Sequence, residues 1–223
     1  MKRSSSKKIL TTHVGSLPRP DGTDRAGNED DAALHRMVAN VVARQRETGI
    51  DIVNEGEYAK GGDWLSYVDS RFGGFEARRP EGGTPVIMQG KDREEFADFY
   101  RYATLHGTLF YEPAGQVKQA RPHWVATAPV TYAGEAALKR EIELFRGAVS
   151  PDTEAFITST APASLEPYRR NECYKTQEEF IFAIAEAMRT EYQTIIDAGF
   201  ILQVDDAWLP ALLDRIGMAM GVD

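Results

Sequence analysis

Two junctions in this chain are written in the same way, and they restrict its fold more than any other feature. At Glu47-Thr48-Gly49-Ile50-Asp51-Ile52-Val53 and at Asp197-Ala198-Gly199-Phe200-Ile201-Leu202, a helical pattern stops at glycine and an apolar strand begins at once. Glycine suits such a stop because it enters the left-handed region without a Cβ penalty. Each strand then ends in acid, Asn54-Glu55-Gly56-Glu57 after the first and Asp205-Asp206 after the second. Alternation of helix and strand through short turns gives parallel strands with helices outside. Polar residues gathered at the C-terminal ends of such strands are where a β/α barrel builds its site.

Taken in order, the pattern predicts strands near residues 10, 50, 124, 156 and 201. Leu10 to Pro20 reads as a strand entering a proline-stiffened loop, in which Gly15 permits close backbone approach and Ser16 can hold an anion. Asp21 to Asp31 reads as a loop, and Asp30 or Asp31 caps a helix to about Thr48 with Leu34, Met37, Val38, Val41 and Val42 on one face. Residues 61–121 form a long excursion broken by Gly61-Gly62, Gly73-Gly74 and Gly82-Gly83, with helices near Trp64–Arg71 and Arg93–Leu105. His123 to Tyr132 is a strand whose Pro129 suits its end better than its middle, and a helix follows from Glu135 to Val149. The strand Ala155 to Thr160 breaks at Ala161-Pro162-Ala163-Ser164. Thr176 and Glu179 then make a capping box for a helix to Ala198, with Phe180, Ile184, Ala187, Met188, Ile195 and Ile196 inward. A full eight-unit barrel takes about 250 residues. The expected architecture is therefore α/β, a (β/α)8 TIM-barrel type that is incomplete at about five β/α units. Residues 1–8 are expected to be a flexible terminus and 9–223 one domain.

Composition excludes several function classes. A net charge of -8 argues against a nucleic-acid partner, and the basic cluster Lys2, Arg3, Lys7 and Lys8 reads as a solvated terminus. No apolar run approaches a membrane span, and no apolar stretch follows the N-terminal basic residues as in a secretory signal. The single cysteine, Cys173, excludes an internal disulfide and a cysteine-rich zinc site built from this chain alone, and it fits a cytoplasmic setting. Its context, Arg170-Asn171-Glu172-Cys173-Tyr174, suggests a half-buried small residue. None of His13, His35, His106 and His123 lies at ligand spacing from another, and His35 falls on the outer face of its helix.

The candidate site residues are Ser16, Glu57, Asp205 and Asp206, with His13 and Thr131 in the same layer. Carboxylates converging from different strand ends can bind an ammonium group, hold a metal, or act as acid and base. They can equally cap the following helices or pair with loop arginines.

Thr11 to Pro20, Gly49 to Glu57, Ala128-Pro129-Val130-Thr131 and Leu202 to Asp206 resemble, in order, the serial motifs of the cobalamin-independent methionine synthase family, and above all its short single-barrel members. That resemblance implies a β/α barrel that activates a thiol on a catalytic zinc and moves a methyl group from a reduced folate to homocysteine. By position, Gly15 and Ser16 would hold the amino-acid carboxylate, and Glu57 and Asp205 its ammonium. Asp206 matches a position that is Glu in the methionine synthases proper, and His13 follows the short-member pattern without an assigned role. The family's zinc ligands, a His-x-Cys pair, a Glu and a further Cys, lie beyond the motif matched by Leu202 to Asp206, and this sequence ends at Asp223 without them. Three functions follow as expectations: a methyltransferase of this family, a non-catalytic subunit that binds a small amino acid, and a thiol transferase or lyase (of the coenzyme M type) with a non-folate substrate. An open sheet exposes an edge, so self-association or a completing partner chain is expected.

Overall fold

The computed structural model describes residues 8–20, 23, 30–61, 66–78, 91–106 and 123–214. The first helix, α1 (Asp31–Glu47), starts where a side chain accepts its orphan amide: Asp30 Oδ1 takes Ala33 N–H at 2.7 Å. Its inward stripe is Leu34, Met37, Val38, Val42 and, unexpectedly for a polar residue, Gln45. Gly49 turns the chain at φ 89°, and β1 (Ile52–Val53) follows.

The excursion contributes α2 (Ser66–Asp69), β2 (Phe72–Arg78), α3 (Asp92–Glu95) and α4 (Ala97–His106). Next come β3 (His123–Tyr132), α5 (Glu135–Ala148) and β4 (Glu154–Thr160). The expected break after β4 is a short helix, α6 (Pro162–Leu165), with proline in its first turn, where a missing N–H costs nothing. A 3-10 turn leads to β5 (Arg169–Asn171). The long α7 (Gln177–Asp197) precedes β6 (Ile201–Asp205) and α8 (Leu209–Leu212). Thr176 caps α7 by accepting Glu179 N–H at 3.0 Å, while Glu179 reaches back one residue further than a capping box, to Lys175 N–H at 3.0 Å.

The strands form two three-stranded sheets among the described residues. In one, β1, β4 and β6 lie side by side, all parallel. In the other, β3 lies between β2, antiparallel to it, and β5, parallel to it. Parallel strands with helices packed on them were expected; the antiparallel β2 was not.

Several expectations are corrected. The stretch at Leu10 is not a strand but an irregular segment docked on the α1–β1 turn, with Thr11 O accepting Asp51 N–H and Ile52 N–H at 3.1 Å each. Strand density lies elsewhere, in β2 and β5. Pro129 sits inside β3, where the register with β2 shifts between Gly73 and Phe75, so its missing N–H interrupts no regular ladder. The helix expected over Arg93–Leu105 is two helices separated at Phe96. Ile196 is 46% exposed because the inward stripe of α7 passes through Glu191 and Ile195 instead. Trp64, Gly82-Gly83, the basic residues before Lys8, most of the Asp21–Asp31 loop and the apolar residues Ile216 and Met218 lie outside the described residues.

Helices α1 and α5 cover one face of the β1–β4–β6 sheet, with Leu34, Val38, Leu138, Phe145, Ile157 and Phe200 in one buried cluster. Phe145 and Phe200 stack at 4.9 Å between ring centroids. A second cluster joins Ala126, Leu165, Phe180, Ile184 and Met188 under the other sheet. Replacing Phe145 by Ala is expected to cost about 3–5 kcal/mol. Thr176→Ala, which removes one cap, is expected to cost about 1 kcal/mol. Urea unfolding of the two variants checks both values and their order.

Candidate active site

The order β1–β4–β6 sets the C-terminal ends of three parallel strands side by side, and the candidate residues come from those ends. Glu57 stands after β1, Thr158 to Thr160 end β4, and Asp205 ends β6 in register with Thr160. Ala161 N–H donates to Asp205 O at 2.8 Å, fixing the β6 end against the β4 end.

The loop at Gly15 closes over these ends. Leu17 N–H donates to Gly56 O at 3.2 Å, Tyr58 OH donates to Pro18 O at 2.7 Å, and Gln203 Nε2 donates to Val14 O at 2.6 Å. Gly15 has φ 131°, and a Cβ there would come within 2.6 Å of Thr158 Cγ2 and 2.7 Å of Glu57 Oε1. Only glycine lets the backbone approach this carboxylate so closely. Ser16, the next residue, is exposed. His13 is half-buried; its Nδ1 accepts Gly15 N–H at 3.2 Å, so its Nε2 carries the proton and donates to Gln45 Oε1 at 2.8 Å. His13 thus shapes the Gly15 loop. Gln45 in turn receives Asn54 N–H at 2.9 Å and donates to Asn54 O at 2.6 Å, clamping the acidic segment to α1.

Glu57 is half-buried and takes φ 60°, the left-handed region, which costs a non-glycine residue about 1–3 kcal/mol. Its Oε1 accepts the Thr158 hydroxyl, and Lys60 Nζ lies 3.9 Å from the same oxygen. Asp205 is half-buried too, and its carboxyl is raised above the usual range by burial and by the charges of Glu57 and Asp206, with Lys60 opposing. Asp206 accepts the buried Ser164 hydroxyl at 2.8 Å. Thr131 is exposed on β3 opposite Gly73.

Beneath this layer lies a charged network that the sequence reading missed. Arg71 donates to Glu141 Oε2 at 2.7 Å and to Glu191 Oε2 at 3.0 Å, and all three side chains are buried. Tyr132 OH and Ser159 Oγ also donate to Glu191, at 2.6 and 2.7 Å. Burial pushes the Glu191 carboxyl up, but the Arg71 charge and these two hydrogen bonds outweigh it and hold it below its ordinary range. Glu141, Glu191 and Gln45 each break an otherwise apolar helix stripe, and that was the available signal. Glu55 is 1% exposed, neither carboxyl oxygen has a hydrogen-bond partner among the described residues, and burial pushes it up to about 8, aided by Glu141 and Glu57 and opposed by Lys60. With Glu55 protonated, the two cations Lys60 and Arg71 face the two carboxylates Glu141 and Glu191.

Among the described residues, no three His, Cys, Asp or Glu side chains converge as metal ligands. Cys173 is exposed rather than half-buried, because Asn171 folds its loop outward by accepting Cys173 N–H at 3.2 Å and Tyr174 N–H at 2.8 Å. The candidate site offers carboxylates and hydroxyls; this donor set does not fit a thiolate- and imidazole-bound zinc. Among the described residues, no helix is long and apolar enough to cross a membrane.

Geometry and topology define an α/β protein with an acidic site at parallel strand ends, similar in fold to B12-independent methionine synthases. Such a synthase from Shewanella sp. W3-18-1, solved in complex with selenomethionine, superposes with a TM-score of 0.60 over 94% of this chain and 55% of its own, at 16% identity. The curated homologues are named methionine synthase: 26% identity over 221 residues in Sulfolobus acidocaldarius and 24% over 218 in Saccharolobus solfataricus, each covering 93% of this chain. The chain spans about half the length of these relatives, 53% and 54%. No protein-family model matches it.

The Glu55 carboxyl, ordinarily 4.5, is at about 8 in the folded protein, so only the folded state keeps this proton between those values. Stability is full below the lower value and falls as pH rises through the window. Glu55→Gln is expected to remove this dependence, so that its stability gains on the wild type's as pH rises through the window. Urea unfolding as a function of pH reads it directly.

Proposed function

We propose that this chain carries the amino-acid-binding part of a cobalamin-independent, methionine-synthase-like methyltransferase. The placing of Glu57 and Asp205 at the ends of β1 and β6, on either side of β4 and close enough for the Glu57 charge to act on Asp205, under a glycine loop, carries this reading. Two carboxylates in a half-buried setting attract an ammonium group, and the Gly15–Ser16 loop supplies amide and hydroxyl donors for a carboxylate. An α-amino acid presents both groups. The names of the curated relatives and the selenomethionine complex of the Shewanella enzyme support homocysteine as that amino acid.

On this reading, the reaction moves a methyl group from 5-methyltetrahydrofolate, or its polyglutamate, to the homocysteine thiol. In the family that the sequence resembles a zinc ion would activate the thiol, but the described residues do not fit one. This chain's residues bind and orient: Glu57 and Asp205 fix the ammonium end, Gly15 and Ser16 the carboxylate, and the thiol projects from them. We place the protein in the cytoplasm, in keeping with its single cysteine.

We further propose that the fold is a partial (β/α)8 barrel and that a further β/α segment, from another polypeptide or a second copy, pairs with β6. Among the described residues β6 pairs only with β4, while Val204, Leu209 and Leu213 are 48, 62 and 48% exposed. Light scattering is expected to show association; a monodisperse, thermally robust monomer would count against it.

A second reading, an amino-acid-binding subunit without catalysis, is favoured by a donor set of carboxylates and hydroxyls among the described residues. Calorimetry with L-homocysteine tests what the two readings share. Glu57→Gln and Asp205→Asn are each expected to weaken binding about 10–100-fold. Equal affinity in both variants would sink the site assignment. Methyl transfer from 5-methyltetrahydrofolate by the wild-type protein, assayed separately, divides enzyme from binding subunit.

A further inference from the structure

We propose that Lys60 is a positioning residue of this site: it aims the Glu57 carboxylate through Thr158 and supplies the buried positive charge that lets Glu57 and Asp205 stand together as an ammonium receptor. The inference rests on the amino-acid reading above and extends it to a residue that does not touch the ligand.

Lys60 is 6% exposed. Two of its three N–H donors go to one residue, at 2.6 Å to Thr158 O and 2.6 Å to Thr158 Oγ1. With the hydroxyl oxygen so engaged, its proton points to Glu57 Oε1, which accepts it. The order Lys60, Thr158, Glu57 therefore fixes the direction of each bond, and with it the orientation of a carboxylate already held in left-handed backbone.

Electrostatics point the same way. Charged and titratable groups face Lys60 from every side: Glu57 and Glu55 from its own loop, Glu141 of α5 at 3.6 Å, and Tyr67 of α2, whose ring centroid is 5.0 Å away. Burial works against its charge, but Glu141, Tyr67, Glu57 and Glu55 outweigh it and hold the ammonium above the ordinary lysine range. Lys60 is thus a fixed cation and not a nucleophile, which would need a free amine. Among the described residues, the charged groups that act on Asp205 are Glu57, Asp206 and Lys60, of which Lys60 opposes its protonation. Without that charge, two carboxylates brought together share a proton more readily, and a protonated acid no longer attracts an ammonium. Arg71 cannot substitute, since its guanidinium is committed to Glu141 and Glu191.

Three variants test this. Lys60→Gln keeps a hydrogen-bonding group and removes the charge, Lys60→Arg keeps the charge, and Thr158→Val removes the bridge alone. Carboxyl-carbon NMR of ligand-free protein follows Asp205, and calorimetry follows L-homocysteine binding against pH. Lys60→Gln is expected to move the Asp205 titration upward and to weaken binding at pH 7 about tenfold, the loss shrinking as pH rises. Lys60→Arg should return the Asp205 titration towards the wild type. Thr158→Val should weaken binding while leaving Asp205 near its wild-type titration. A folded Lys60→Gln protein with unchanged Asp205 titration and pH profile overturns the electrostatic role; full affinity in Thr158→Val overturns the aiming role, even if Lys60→Gln fails to fold. If the wild-type protein binds no amino acid, the functional reading fails, while the Asp205 titration still decides the charge effect.

Discussion

Arg71 ties together parts of the chain that lie far apart in sequence. It lies one residue before β2, and its guanidinium bridges Glu141 on α5 to Glu191 on α7, over sequence separations of 70 and 120 residues. Glu191 is also the acceptor for Ser159 of β4 and Tyr132 of β3, so a single carboxylate touches both sheets. Buried ion pairs add little net stability over apolar replacements, but loss of one partner strands the other charge at a cost of about 3–5 kcal/mol. The value of such a network lies in what it forbids. A helix register that moved Glu191 off the inward stripe of α7 would leave Arg71 half-paired, so the network admits one relation between the sheets.

The layer of Glu57 and Thr158 is joined to that base through Lys60, which meets Glu141 below and Thr158 above. Above it the backbone is under strain, with Glu57 at φ 60° and Gly15 pressed against the Glu57 carboxylate. Strain of this kind persists only where surrounding contacts over-determine it. Here they include the Asn54–Gly56 hydrogen bond at 2.5 Å, the Leu17–Gly56 bond, and the Tyr58–Pro18 bond. The strained loop presents a carboxylate that the regular end of a strand would point elsewhere.

Much of this was legible in the sequence, and the failures have identifiable causes. Glycine stops, N-caps and apolar stripes are local and gave α1, α5, α7, β3, β4 and β6 nearly to their ends. That Glu57 and Asp205 stand at strand ends was legible too, because that place follows from the same local grammar. The Leu10 segment was misread because β-branched residues beside an apolar entry also describe a docked, unpaired segment. Non-local pairing was beyond reach: no pattern in β2 says that it runs antiparallel to β3. The buried network went unseen for a different reason. Gln45, Glu141 and Glu191 were visible as polar residues on apolar stripes, but such a residue announces only that some partner exists, and Lys60 and Arg71 lie in turns without periodicity.

The sheet order explains why the acidic pair survives so large an excursion. Between β1 and β4 the chain passes through residues 54–153 and makes other strands, yet β4 pairs directly with β1, because β2 and β3 join β5 in a sheet of their own. The entropic cost of closing such a loop grows only logarithmically with its length, so an added excursion weakens the β1–β4 pairing little once its own hydrophobic surface is buried. The ends of β1, β4 and β6 then bring Glu57, Thr158 and Asp205 into one layer beneath the Gly15 loop. Groups that do chemistry on a bound ligand need not come from the same segments. The proposed amino-acid site is therefore compatible with a chain that spans about half the length of its relatives, since β1, β4 and β6 all lie within it.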